Sequence, residues 1–217
     1  CPGGLGGWVS FVKGPLLAPL ELTYGVKERT DASGDISVQL DEEHLREQLN
    51  DLKAKGEVEA LTISFVNSYI NNKNEVKAAK IAAEIFTDIP ISISSEVIPE
   101  MQEYERAETT VLNSYVRPQV SNYVNNLQAS LEKSLGNDVQ LSILRSDGGL
   151  ASSRATGDSP VNHLMSGPAG GVAGAIHFCN QAGYENILTF DMGGTSTDVA
   201  LIQNSRAKVR RESLVGD

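Results

Sequence analysis

Along the chain the apolar positions change period several times, and each change marks an element. Leu20, Leu22, Tyr24 and Val26 alternate with polar residues, Asp31-Ala32-Ser33-Gly34-Asp35 interrupts them as a turn, and Ile36, Val38 and Leu40 resume the alternation. This pattern predicts a β-hairpin. Asp41 then stands where a helix N-cap belongs, Leu45, Leu49 and Leu52 recur on one face, and Gly56 falls where a left-handed residue closes a helix. Val58 to Val66 is apolar almost without a break, which predicts a strand covered on both faces. A helix over about Glu75 to Phe86 follows, and then a short strand, Ile89 to Ile93. Strand, helix and strand at this spacing predict a βαβ unit with a parallel pair.

Ser94 to Tyr104, with Pro99 and the acids Glu96, Glu100 and Glu103, reads as a boundary. Leu112, Val116, Val120, Tyr123, Leu127, Leu131 and Leu135 then recur at helical spacing, and Pro118 either kinks one long helix or starts a second. Tyr115 and Tyr123 are expected in a core or interface, and Arg106 and Arg117 are expected to pair with the preceding acids. Val139 to Leu144 reads as a buried strand that ends in Arg145-Ser146-Asp147-Gly148-Gly149. This turn either brings backbone close to a ligand or is simply an Asx-turn closed by Asp147. Ser166-Gly167-Pro168-Ala169-Gly170-Gly171 opens an Ala- and Gly-rich helix that reaches about Cys179, with Pro168 suited to the first helical position and Ser166 to the cap. Its small residues permit close packing on a sheet, and its free N–H groups suit an anion. Both readings stand.

The stretch of greatest chemical content is Asn186 to Ile202, where two apolar runs flank Asp191-Met192-Gly193-Gly194-Thr195-Ser196-Thr197-Asp198. It predicts two buried strands and a tight turn, with Ala207 to Ser213 as a third strand. Gly193 and Gly194 can adopt positive φ and bring N–H groups close to an anion, and Thr195, Ser196 and Thr197 add hydroxyl donors. Gly193, Gly194 and Thr195 are therefore expected on phosphate oxygens. Asp191 and Asp198 are expected to hold a hydrated Mg²⁺ or to orient a water. A purely structural hairpin is the competing reading. The stretch is neither a P-loop nor a dinucleotide fingerprint.

Composition narrows the setting. The 217 residues, 40% apolar and 21% charged, carry a net charge of −10, which opposes non-specific binding to nucleic acid or an anionic membrane. Cys1 and Cys179 form neither a disulfide framework nor a metal spacing, His163 and His177 are not at zinc-ligand spacing, and His44 reads as a solvated side chain on the outer face of its helix. No apolar run approaches the roughly 20 residues of a membrane span. A cytoplasmic protein is the expectation. An opening at Cys1 without an initiator Met, and an end at Asp217 just after a charged strand-like stretch, lead to the expectation of a fragment.

Asp191 to Asp198 resembles the second phosphate loop of the hydantoinase/oxoprolinase family, whose ATP-binding half belongs to the actin, sugar-kinase and Hsp70 superfamily. Three more segments match in order: Tyr104-Glu105-Arg106 with Thr109 to Val116, Arg145 to Leu150, and Ser166 to Val172. The resemblance implies an α/β fold of the ribonuclease H-like kind, mixed sheets flanked by helices, present here incomplete. Residues 1–107 would be the C-terminal part of the family's first domain, and residues 108–217 the start of the hydantoinase A domain. It implies ATP and Mg²⁺ as cofactors. Gly193, Gly194, Thr195, Thr197, Ser166, Gly167, Gly170 and Gly171 would contact the nucleotide, and Arg145, Ser146, Asp147, Gly148 and Gly149 would face the cleft. The activity implied is ATP-driven opening of a cyclic amide, 5-oxoproline or a hydantoin, by a full-length oligomer with a hydantoinase B-type domain or subunit. The alternatives are a ketone carboxylase subunit and a non-catalytic nucleotide-binding fragment.

Overall fold

In the computed structural model, which describes residues 16–56, 58–194 and 196–208, the first ordered signals are the local ones. β1 (Arg29–Thr30) and β2 (Ile36–Val38) pair antiparallel around the Asp31 turn. α1 (Glu42–Lys55) starts where Asp41 Oδ1 accepts the His44 N–H at 3.2 Å and stops at Gly56, whose φ is 77°. β3 (Leu61–Ile63), α2 (Lys73–Ile85) and β4 (Ile91–Ile93) form the expected βαβ unit, with Leu61 opposite Ile91 and Ile63 opposite Ile93 in parallel register. Leu45, Leu49 and Leu52 of α1 pack with Ala78, Ile81 and Ala82 of α2 and with Ile63 and Ile93. This is the core of the first of two compact units, Cys1–Tyr115 and Val116–Asp217.

Two strand expectations fail in this unit. The Leu20 to Val26 alternation is not a strand: Leu20–Leu22 is a 3-10 turn, and Leu20 is 73% exposed. Leu22, Tyr24 and Val26 instead rest on the rim of the core, so period two here reports one-sided burial without sheet pairing. The Val58 to Val66 run pairs only over Leu61–Ile63, and Val58 and Phe65 contribute packing beyond it. Pairing stops where the partner strand stops.

α3 (Ser94–Val97) and the first turns of α4 (Glu103–Leu135) close the other face of the β3/β4 pair. Alternation turns Thr62 and Ser92 to that face. There Thr62 Oγ1 donates to Ser114 Oγ at 2.7 Å and Asn113 Nδ2 donates to Ser92 Oγ at 3.2 Å. Arg106, 1% exposed, does not pair with the acids before it. Its guanidinium donates to the carbonyls of Phe65 (2.9 Å) and Glu100 (2.7 Å) and to Ser94 Oγ (3.1 Å). Ser94 in turn donates to Glu75 Oε1 at 2.6 Å, and the fully buried Glu75 also accepts from the Phe65 and Ser95 N–H groups. One hydroxyl thus links two buried opposite charges. In the loop after β3, Ser68 is buried against Ser94 and Tyr69 lies under the Arg106 guanidinium, 5.4 Å from it.

α4 passes Pro118 as one helix, and Tyr115 and Tyr123 lie on its solvent side, 65% and 66% exposed, not in a core. In the second unit Arg117 pairs with Asp158, a later acid, at 2.7 Å. β5 (Ser142–Leu144) and β6 (Leu150–Ser152) form an antiparallel hairpin, followed by α5 (Ser153–Asp158), a 3-10 turn Pro160–His163 and α6 (Ser166–Gln181). β7 (Ile187–Met192), β8 (Thr197–Gln203) and β9 (Arg206–Ala207) make an antiparallel meander on which α6 packs. Of the third strand expected over Ala207 to Ser213, Ala207 lies in β9 and Lys208 does not, and residues 209–213 lie outside the described residues. β5, β7 and β8 are not buried as expected: α6 covers one face, while Leu188, Phe190, Met192, Val199 and Leu201 are exposed on the other.

Candidate functional site

The β7/β8 register fixes the acids. Asp191 is the cross-strand partner of Asp198, and Met192 that of Thr197. Directly opposed residues share a face with Cβ atoms about 4.5–5.5 Å apart. Both carboxylates therefore stand on the α6 side, while Thr197 lies on the opposite face with Met192. Neither carboxylate has a hydrogen-bond or ion-pair partner among the described residues. In the turn the Gly193 N–H donates to Ser196 O at 2.9 Å, so that donor is spent inside the hairpin. Neither Gly193 nor Gly194 takes a positive φ. Among the described residues a Cβ at Gly194 would meet nothing within 4 Å, its N–H has no acceptor, and none of them requires glycine there. Thr195 lies outside the described residues.

α6 brings two more predicted segments to this hairpin. A Cβ on Gly171 would sit 3.9 Å from Asp191 Oδ2, and one on Gly170 would sit 3.0 Å from Leu144 Cδ2. Consecutive glycines thus touch the end of β7 and the end of β5, and the absent side chain at 170 lets the helix lie this close. The helix begins at Ser166, so Pro168 is its third residue and not its first, and Ser166 supplies no side-chain cap. The cap comes from elsewhere: Ser146 Oγ accepts the Met165 N–H at 2.9 Å, and the Ser146 N–H donates to Asn162 O at 2.8 Å. Ser166 and Gly167 stand in the first turn, where helical N–H groups lack intrahelical partners, and a Cβ on Gly167 would meet nothing within 4 Å.

The Arg145 turn is built as an Asx-turn. The Gly149 N–H donates to Asp147 Oδ1 at 2.9 Å, Gly148 has φ 83°, and Asp147 Oδ2 lies 2.9 Å from Arg145 Nη2. A Cβ on Gly149 would approach Asp147 Oδ1 to 3.1 Å, so glycine lets the pair close over the turn. The Asn162–Met165 linkage was invisible in the sequence. Only the hydroxyl of Ser146, one residue past a strand, hinted at it.

Among the described residues no group of three or more His, Cys, Asp or Glu side chains could chelate a metal. Two unpaired carboxylates suit a cation that keeps most of its water and gains oxygens from phosphate, which is the habit of Mg²⁺. Open space above Gly194 suits a phosphate. The donor set fits both groups.

These features define a mixed α/β protein with a carboxylate-paired Gly-Gly hairpin seated on a glycine-bearing helix. The hydantoinase/oxoprolinase pattern matches residues 106–217 and that of the hydantoinase/oxoprolinase N-terminal region matches residues 12–86, so the chain belongs to the hydantoinase/oxoprolinase family. It is 36% identical over 168 residues to the 5-oxoprolinase of Saccharomyces cerevisiae, a match that takes in 76% of this chain and 12% of that protein. The nucleotide-free structure of acetone carboxylase, whose acetone carboxylation is ATP-dependent, superposes with a TM-score of 0.80 at 33% identity, covering 91% of this chain and 28% of that one. The crystal structure of the ATP-dependent caprolactamase of Pseudomonas jessenii gives a TM-score of 0.70 at 32% identity, covering 81% and 25%. The chain thus spans 12% to 28% of these relatives.

Proposed function

We propose that the chain is the phosphate-handling part of an ATP-dependent enzyme that opens a cyclic amide, of the 5-oxoprolinase or hydantoinase type, on an actin, sugar-kinase and Hsp70-like fold. The observation that carries this reading is the cross-strand pair Asp191 and Asp198, without a cation partner among the described residues, beside the open Gly194. ATP is the phosphoryl donor: its γ-phosphoryl passes to the amide oxygen and ADP leaves, one water adds to the ring carbon and the C–N bond opens to an amine and an acyl phosphate, and a second water hydrolyses the acyl phosphate to carboxylate and phosphate. In this reaction the chain positions and neutralises, which is most of what phosphoryl transfer asks of a protein. Asp191 and Asp198 hold hydrated Mg²⁺ or orient the water. The N–H groups of Gly194, Ser166 and Gly167 face phosphate oxygens. A hydantoinase B-type domain or subunit completes the protein.

A second reading, phosphorylation of a ketone ahead of carboxylation, is favoured by the likeness to acetone carboxylase. It uses the same residues on a different oxygen. The test is ADP release by the full-length protein with 5-oxoproline, hydantoin, caprolactam, or acetone with bicarbonate. Asp191→Asn should lower the rate about 100-fold or more while circular dichroism stays native. Undiminished ADP release in that variant refutes the role given to the acid.

A further inference from the structure

We propose that the outer face of α4 in the first unit docks a basic amphipathic helix of a partner polypeptide, its apolar residues against Tyr104 and Tyr115 and its arginines against Glu105 and Glu108. None of these residues belongs to the candidate site, so the surface stands whether or not the protein opens a ring. Over Glu103 to Tyr115 the helix is turned inside out. Its inward side is polar: Arg106, Thr110, Asn113 and Ser114 are buried, and they are spent on the β3/β4 pair and on one another. Its outward side carries the rings. Tyr104 and Tyr115 are 70% and 65% exposed, and with Glu108 and the half-buried Val111 they fall at i, i+4, i+7 and i+11, which is one stripe along a helix. A helix on the surface of a domain ordinarily turns its apolar side inward and its polar side to water. Here the fold has consumed the polar side and left in water the residue type that supplies most contact area in interfaces.

Shape and charge then choose the occupant. At 1.5 Å per residue the stripe runs about 16 Å from Tyr104 to Tyr115, a length that suits a helix laid alongside and exceeds what one small molecule covers. Glu96, Glu100, Glu103, Glu105 and Glu108 are all exposed, and none has an ion-pair partner among the described residues. Between residues 94 and 116 the sequence offers one cation, Arg106, and it is buried. The Tyr104 O–H donates to Glu108 Oε1 at 2.9 Å, which holds a carboxylate at the edge of the ring. An arginine can stack on such a ring and pair with its acid at once. A second copy of this helix would set carboxylate against carboxylate, and nucleic acid or an anionic membrane would add more negative charge. The surface therefore fits a polypeptide whose apolar stripe is bordered by arginine or lysine.

The experiment titrates the whole protein by calorimetry at low salt with three synthetic helical peptides of about 18 residues. One has leucines along one face and arginines on its borders, one replaces the arginines with glutamates, and one keeps the arginines and replaces the leucines with glutamines. The first should bind at least about 10-fold more tightly than either of the others, and Tyr104→Ser with Tyr115→Ser should weaken it about 10- to 100-fold. Glu105→Lys with Glu108→Lys should reverse the preference, so that the glutamate peptide now binds better. Damage to the fold does not produce such a gain, and a chain of net charge −10 stays negative after two reversals, so the reversal reads the local surface. Four results overturn the assignment. They are a protein that binds none of the peptides, a leucine-free peptide that binds as tightly as the first, a tyrosine double variant that binds unchanged, and a charge-reversed variant that still prefers arginine. Sedimentation showing a wild-type dimer that the tyrosine double variant abolishes would give the face to a second copy, and would overturn it too.

Discussion

Arg106 shows how a single side chain can organise the first unit without touching solvent. Its guanidinium gathers the carbonyls of Phe65 and Glu100 and meets Glu75 through the Ser94 hydroxyl. Removing one partner of a buried charge pair strands the other, at a cost of about 3–5 kcal/mol. Arg106→Met is expected to lose that much in denaturant unfolding, and Ser94→Ala less, because it removes only the bridge. A loss below about 1 kcal/mol for Arg106→Met would show a pair worth no more than a surface one. On the surface, Asp51 is held below the ordinary carboxylate range, first by the Tyr24 O–H at 2.6 Å and then by Lys55. A depressed carboxyl contributes stability that is present above its unfolded value and fades as pH falls through the folded one. Tyr24→Phe should therefore move the Asp51 midpoint upward, which an NMR titration of its carboxyl carbon would show. The residues of this scale were the hardest to read in advance. Arg106 and Phe65 are far apart in sequence, and a backbone carbonyl leaves no signature that distinguishes it from any other.

Elements were legible in proportion to how local their causes are. Asp41, the Leu45/Leu49/Leu52 face and Gly56 all act within α1, and the helix begins and ends where they direct. Asp41→Ala should cost about 1 kcal/mol through the lost His44 N–H bond, and Leu49→Ala about 2–5 kcal/mol through the cavity it leaves. Denaturant midpoints of the two variants would separate a cap from a core. Strands were read too long wherever apolar sequence outran its partner, as at Val58 to Val66, and the Leu20 run was misread because a residue on the core's rim alternates like one in a sheet. At the candidate site the hairpin followed from its two apolar runs and the turn between them. Its chemistry was harder to divide: Gly193 spends its N–H inside the turn, Thr197 turns away from the acids, and Ser146 serves α6 as a cap. Which face each side chain takes depends on register, and composition does not fix register.

At the scale of the whole molecule, the second unit carries a contrast that its sequence concealed. On β7 and β8 the side chains that face α6 include the acid pair, whereas the opposite face holds Leu188, Phe190, Met192, Val199 and Leu201, exposed by 51% to 67%. Scattered exposed apolar residues are ordinary, but five that adjoin across two paired strands make a continuous patch, and water disfavours such a patch enough to drive association. The net charge of −10 opposes this only at low ionic strength, since screening shortens its reach to about 10 Å at 0.1 M salt. Prepared as this 217-residue chain, the protein should therefore self-associate increasingly as salt is raised, with dye fluorescence that reports exposed apolar surface. Phe190→Ser with Leu201→Ser should suppress both effects, and they lie on the face away from Asp191 and Asp198, so the acid pair keeps its register. Sedimentation velocity at low and high salt gives the readout: a monomer in both conditions for the unaltered chain, or association that the double variant does not relieve, would show that this face is not what drives the molecules together.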